Sequence, residues 1–274
     1  GSGTVGIDTP IGFFVHEAGH YHFLLGDYYG GTFGMGAKAG YHYGKYGEGM
    51  WGIMGLGCWG TSAKMSLDDL YRYPSDYEAA SKVRAGWANA QVFTQSHHVH
   101  LRPVETSADI AIVPMGTDQT ESFFFEYRSN RGFSALEPGH GLLIWRGWDL
   151  MQADGRDDLN HGNALKRRPL PPNDENFGDA SDPFPGSLGV TSYVDQATGL
   201  TATNITQTDD AIDFDLVFPT PDLEAKSTAA IAESVKTVNA NFVPVSLNGG
   251  PFHGSITREL GDGIVIDPHN SCEL

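Results

Sequence analysis

The stretch His16-Glu17-Ala18-Gly19-His20 constrains this chain more than any other. Residues four apart share one face of a helix, so His16 and His20 can aim two imidazoles at one zinc ion. Glu17 lies beside the first of them, where it can take a proton from water at the open coordination position. A chain that uses this motif must build a helix here and return a third ligand to its end. Thr9-Pro10 reads as an N-cap followed by proline at the first helical position. Ile11, Phe14, Val15, Ala18 and Leu25 fall at helical spacing and predict the apolar face that buries the helix.

Gly26 predicts the stop of that helix, since glycine enters the left-handed region without strain. Asp27 follows where the chain has turned back, and a carboxylate there completes a three-ligand catalytic site. A plain turn residue is the other reading of Asp27. His22 is a rival ligand, but two residues past His20 it points away on a continuing helix. Residues 30–50 are rich in glycine and aromatics and predict a long irregular loop, either a substrate wall or a self-packed surface loop. From Met50 to Gly60 closely spaced glycines permit a tight turn with close backbone approach, and Met54 sits within it. A methionine in a glycine-bounded turn downstream of such a helix matches the turn that metzincin zinc proteases place beneath their metal. Ser75-Asp76-Tyr77-Glu78 reads as a capping box, with a helix running to Ala85 and Gly86 as its stop.

Beyond Val92 the texture changes. Segments 99–102, 110–113, 122–127 and 141–145 are short, rich in β-formers and separated by turn residues; 211–218 alternates apolar and polar. The fold class expected is α+β: a helical part carrying the zinc helix, then a β-rich sheet or sandwich. The organisation expected is 1–91 for the zinc-helix and Met54 part, 92–218 for the β-rich region, and 219–274 for an extension without an assigned role. His97, His98 and His100 fall at strand spacing and read as surface residues. Acidic loops containing Asp149, Asp154, Asp157 and Asp158, then Asp174, Asp179 and Asp182, offer hard oxygen donors suited to calcium (Ca2+) without EF-hand spacing. Solvated loops are the plainer reading of the same residues.

The formal charge of -17 argues against nucleic acid and anionic membrane as partners. No apolar run is long enough to span a bilayer. No signal peptide is visible ahead of the zinc helix, and the Gly-Ser-Gly opening reads as truncated or processed. Cys58 and Cys272 allow one disulfide or two thiols.

Taken together, these pieces resemble the immune inhibitor A-type metallopeptidases, a metzincin-like family of secreted zinc endopeptidases. The resemblance rests on 11–20, on Asp27-Tyr28-Tyr29, on 51–60 and on 82–87. It continues through 125–128, 138–145, 152–155 and 178–186 in the same order, covering about residues 5 to 218. It implies zinc (Zn2+) held by His16, His20 and Asp27, Glu17 as general base, Met54 in the Met-turn, a protein or peptide substrate and an extracellular location. The family pattern places glycine three residues and aspartate six residues after the second histidine. Here position 23 is Phe, and Asp27 lies seven after His20. The family also carries an N-terminal lobe ahead of the zinc helix, so the resemblance implies a partner: that lobe or a second chain. The alternative expectation is a protease-like binding module without activity of its own.

Overall fold

Residues 123–128 form the strand around which the layers stack. The sequence Phe-Phe-Phe-Glu-Tyr-Arg is buried throughout, so both faces of this strand must meet other elements. The computed structural model describes residues 10–28, 47–60, 72–116, 121–156, 159 and 178–219. All of these fall in one compact unit, Pro10–Lys236. Its helices are α1 (Ile11–Phe23), α2 (Ala79–Ala85) and the single turn α3 (Val104–Ser107). The strands are β1 (Asn89–Val92), β2 (His97–Leu101), β3 (Asp109–Val113), β4 (Phe123–Arg128), β5 (Gly141–Arg146), β6 (Asp149–Met151), β7 (Tyr193–Val194), β8 (Thr201–Gln207) and β9 (Ile212–Val217). The architecture is α+β with a β-rich region, as expected.

One sheet has the order β1-β3-β4-β5-β6, with β1 parallel to β3 and the rest antiparallel. The other, β2-β9-β8-β7, is antiparallel throughout. Strand side chains alternate between faces, and this alternation builds two cores from one sheet. Phe123, Phe125, Tyr127, Leu142 and Ile144 face the second sheet, where Val99, Leu101, Ile212, Phe214 and Leu216 meet them. Phe124, Leu143, Trp145 and Ile110 face the other way, onto Trp51, Ala79 and Ala80. The clean alternation of 211–218 is the inner face of β9, and its polar members Asp213 and Asp215 stand opposite His100 and His98 on the outer face. Within the three-histidine run, His98 Nδ1 meets Asp215 at 2.7 Å and His100 Nδ1 meets Asp213 at 2.8 Å on the exposed face. The expected junction at 91 falls inside β1, which pairs with β3 in the central sheet.

Two helix boundaries differ from expectation. α1 ends at Phe23, and Leu24, not Gly26, takes the left-handed cap, with φ 54°. Gly26 instead lies against the Tyr28 ring, 3.2 Å from where a Cβ would stand. α2 starts at Ala79 with Glu78 as N-cap, its Oε1 accepting from Ser81 N at 3.0 Å. Ser75 is not the cap, because residues 75–76 run alongside the Met54 segment. Ser75 N donates to Gly57 O and Ile53 N donates to Asp76 O, and these tertiary bonds hold the residues extended. The stop at Gly86 is as expected, with φ 75°. Thr9 and the loop 29–46 lie outside the described residues, as does 220–274.

Glu126 and Arg128 are the polar members of the face of β4 turned to the helices, and both are fully buried. Arg128 donates from Nε to Glu126, from Nη1 to Trp51 O at 2.6 Å and to Glu137, and from Nη2 to Tyr77 O at 3.1 Å and Glu126 at 2.8 Å. Lys82 reaches Glu126 and Asp76, both at 2.8 Å. Buried beside this network, Glu48 lies under Gly52, where a Cβ would stand 1.8 Å from its Oε2. Neither oxygen of Glu48 meets an N–H or O–H donor among the described residues. Burial, and then the neighbouring Glu78, push the Glu48 carboxyl well above the usual range.

Two stability effects follow. Arg128→Met takes the guanidinium from Glu137 and two carbonyls and leaves Glu126 only Lys82 and Trp145, and should cost about 3–5 kcal/mol by urea unfolding. Glu48 favours the folded state fully only below its unfolded pKa near 4.5, and loses that contribution as pH rises towards its raised folded value. Glu48→Gln should therefore match wild type near about pH 4 and gain on it by up to about 1.4 kcal/mol per pH unit above that. A difference independent of pH would show that Glu48 is charged in the fold.

Candidate metal centre

The inward face of α1 is not the apolar stripe expected. Its buried residues are Gly12, His16 and Gly19, whereas Ile11 and Phe14 are 53% and 40% exposed. Leu25, just beyond the helix, is buried, and Val15 is half-buried against the same cluster. The helix packs through its glycines because they let it lie close to the segment beneath. A Cβ at Gly19 would stand 2.5 Å from Met54 Sδ. Met54 is fully buried and forms the floor under the helix turn that carries His20, with Ile53, Cys58 and Tyr77 around it. Tyr77 OH ties the helix down, donating to Val15 O at 2.6 Å. Cys272 lies outside the described residues.

Two backbone carbonyls set the histidine rings. His16 Nδ1 is 2.8 Å from Ile53 O and His20 Nδ1 is 2.8 Å from Leu25 O. A carbonyl only accepts, so each Nδ1 carries the proton. In the neutral rings each Nε2 is then left with its lone pair. Asp27 Oδ1 completes the set, 3.1 Å from His16 Nε2 and 3.2 Å from His20 Nε2, with the two Nε2 atoms 3.1 Å apart. Three lone-pair atoms thus form a nearly equilateral triangle. Lone pairs converge at that distance only around a positive charge, a shared proton or a metal ion. The edges of a zinc tetrahedron with bonds of 2.0–2.1 Å are about 3.3 Å, so the triangle fits one face of such a site. The ring-to-carbonyl bonds are the outer-shell contacts that ligating histidines require.

The electrostatics agree with the geometry. The His20 pKa is raised, chiefly by its bond to Asp27 and against the effect of burial. Burial raises the Asp27 carboxyl, but the bonds from His16 and His20 outweigh it and hold it well below the ordinary range. The His16 side chain is 7% exposed, while those of His20 and Asp27 are 28% and 26% exposed, so the centre is open on one side. Glu17 is exposed, and its charge acts on His20 to raise that pKa further. His22 is exposed and stands apart from the triangle. The seven-residue spacing from His20 to Asp27 is absorbed by the left-handed turn at Leu24, whose N–H returns to Gly19 O.

The acidic loops divide. Asp154, Asp179 and Asp182 come together, each offering an oxygen within 4.8 Å of the others. Asp149 is used elsewhere, accepting from Gly47 N at 3.1 Å. Asp157, Asp158 and Asp174 lie outside the described residues. Sequence reading missed the carbonyls of Ile53 and Leu25 entirely, since a backbone oxygen leaves no residue-type signal.

Wild-type chain dialysed against metal-free buffer should keep about one zinc per chain by elemental analysis, and His20→Ala should keep none. Because a proton competes with zinc for His20 Nε2, zinc affinity should begin to fall as pH drops below the raised His20 pKa. Comparisons with family models, curated proteins and solved structures return no match to this chain.

Proposed function

We propose that the chain is the zinc-bearing part of a metzincin-like endopeptidase that hydrolyses peptide bonds. The observation that supports this best is the convergence of His16 Nε2, His20 Nε2 and Asp27 Oδ1 at 3.1–3.2 Å, with both Nδ1 protons committed to carbonyls. Zinc bound there supplies a Lewis acid and a water activated near neutral pH. Glu17, exposed on the next helical position, serves as the general base. Its carboxylate takes the proton of the attacking water and passes it to the leaving amine. His16 and His20 keep their Nδ1 protons on Ile53 O and Leu25 O throughout, so neither ring takes part in that transfer. Met54 gives the centre an apolar, incompressible floor. The substrate class is protein or peptide and the location extracellular, both carried over from the family resemblance.

One observation favours a second reading. α1 leaves Ile11, Phe14, Tyr21 and Leu24 between 40% and 73% exposed, a large apolar share for one helix. A protease-like binding module, completed by another lobe or chain over this face, accounts for them without catalysis.

The two readings separate on one pair of proteins. Zinc-loaded wild type should cleave an unfolded protein substrate, and Glu17→Gln should keep its zinc but lose at least ~100-fold in kcat/KM. Undiminished cleavage by Glu17→Gln would remove it from the base role. Absence of cleavage by a zinc-loaded wild type would favour the binding module.

A further inference from the structure

A second cluster of acids lies apart from the histidine centre, at the end of β6. Asp154 sits in the turn after β6, and Asp179 and Asp182 belong to the turn that leads into Phe184. Both turns are fixed by backbone bonds. Ala153 N donates to Asp182 O at 2.8 Å, and Phe184 and Leu142 exchange N–H···O bonds at 3.0 and 2.7 Å. The rigid frame therefore brings three carboxylates within 4.8 Å of one another. At that spacing in a partly buried site, mutual repulsion needs a compensating charge.

One oxygen of the cluster is left without a donor among the described residues. Asp182 is fully buried. Its Oδ2 accepts from Trp51 Nε1 at 2.8 Å and from Asp179 N at 2.9 Å. Its Oδ1 is buried with no hydrogen-bond partner among the described residues. Ser181 Oγ lies within bonding distance of both Asp154 Oδ2 and Asp179 Oδ1, yet a hydroxyl has one proton to give. Asp154 Oδ1 accepts from Arg156 N at 2.9 Å, and Asp179 Oδ1 from Ser181 N at 2.6 Å. Arg156 Nε stands 3.5 Å from Asp154 Oδ2 on a largely exposed side chain. The unpartnered, fully buried Asp182 Oδ1 beside two further carboxylates is the group that calls for a cation.

We propose that Asp154, Asp179 and Asp182 bind a calcium ion. The donor set is all oxygen, which suits a hard cation and excludes the nitrogen and sulfur preferences of zinc. Two oxygens bonded to one calcium at 2.3–2.6 Å lie at most about 5 Å apart, which spans the observed cluster, whereas magnesium at 2.0–2.1 Å needs tighter spacing and keeps most of its waters. Calcium here fastens the turn after β6 to the 178–186 turn. Through the Trp51–Asp182 bond it also braces the segment that carries Ile53 and Met54. Calcium binding would thus support the histidine centre from behind without touching it.

Terbium(III), a luminescent calcium substitute, tests the site on the full chain with zinc already loaded. Trp51 is bonded to Asp182, so excitation of indole should sensitise a bound terbium. The expected result is saturable terbium emission that calcium displaces. With terbium absent, calcium at about 5 mM should raise the unfolding midpoint by several degrees. Asp154→Asn and Asp179→Asn, chosen because they spare the buried Asp182, should weaken both responses at least ~10-fold while keeping about one zinc per chain. Absence of calcium-displaceable emission in wild type, or an unchanged response in both variants, overturns the calcium site. Neither result bears on the zinc content, so failure here is distinct from failure of the histidine centre.

Discussion

Arg128 holds the layers of this protein in register. A guanidinium has five N–H donors in a fixed plane, and here five bonds use them, to Glu126, Glu137, Trp51 O and Tyr77 O. The side chain leaves the middle of the central sheet and ends on the backbone of the two segments that flank the His16–His20–Asp27 cluster. Trp51 lies two residues before Ile53, whose carbonyl orients His16. Tyr77 both feeds α2 and pins α1 through Val15 O. The position of the His16 ring thus depends on a charge buried in a strand. Burying that charge is favourable only when every donor is met, so the network admits one arrangement of these segments.

Close backbone approach is the second requirement. Gly19 lies on Met54, Gly52 on Glu48 and Gly57 on Ser75, each too near for a Cβ. These contacts let α1 sit low enough for two imidazoles to reach carbonyls on two different segments. They also explain why α1 is poor in inward apolar side chains: its contact with the core is made by glycine, histidine and the methionine beneath. The candidate ligands His16 and His20 and the packing face lie on the same side of the helix.

The excess of acidic residues is partly internal. Glu48, Glu78, Glu126 and Glu137 are all buried, with Arg128 and Lys82 as their buried cations. Burial pushes the Glu137 carboxyl up to about 7 even beside Arg128. It does the same to Asp182, again to about 7, with Asp179 and Asp154 adding to the effect. A net charge of -17 therefore describes more than a solvated surface. Some of that charge is held neutral by protons inside, and some is gathered where a cation would relieve it.

The sequence by itself determined the local elements whose signals are carried by residue type. The spacing of His16 and His20, the alternation of β9, the runs that became β3, β4 and β5, and the stop at Gly86 were all legible, because each depends on neighbours a few residues away. Asp27 was legible as a third ligand beside both histidines, with a plain turn residue as the rival reading. Short or polar strands such as β1, β7 and β8 escaped, since their pairing comes from distant segments. Only the tertiary structure decided that Glu78 and not Ser75 caps α2, that Leu24 and not Gly26 turns the chain, and that α1 buries its glycines. In each case backbone bonds or contacts from another segment outweighed a local preference worth about 1 kcal/mol. The same holds for the centre itself. Its candidate ligands are side chains and can be read from sequence, but the carbonyls that set the histidine tautomers belong to a fold.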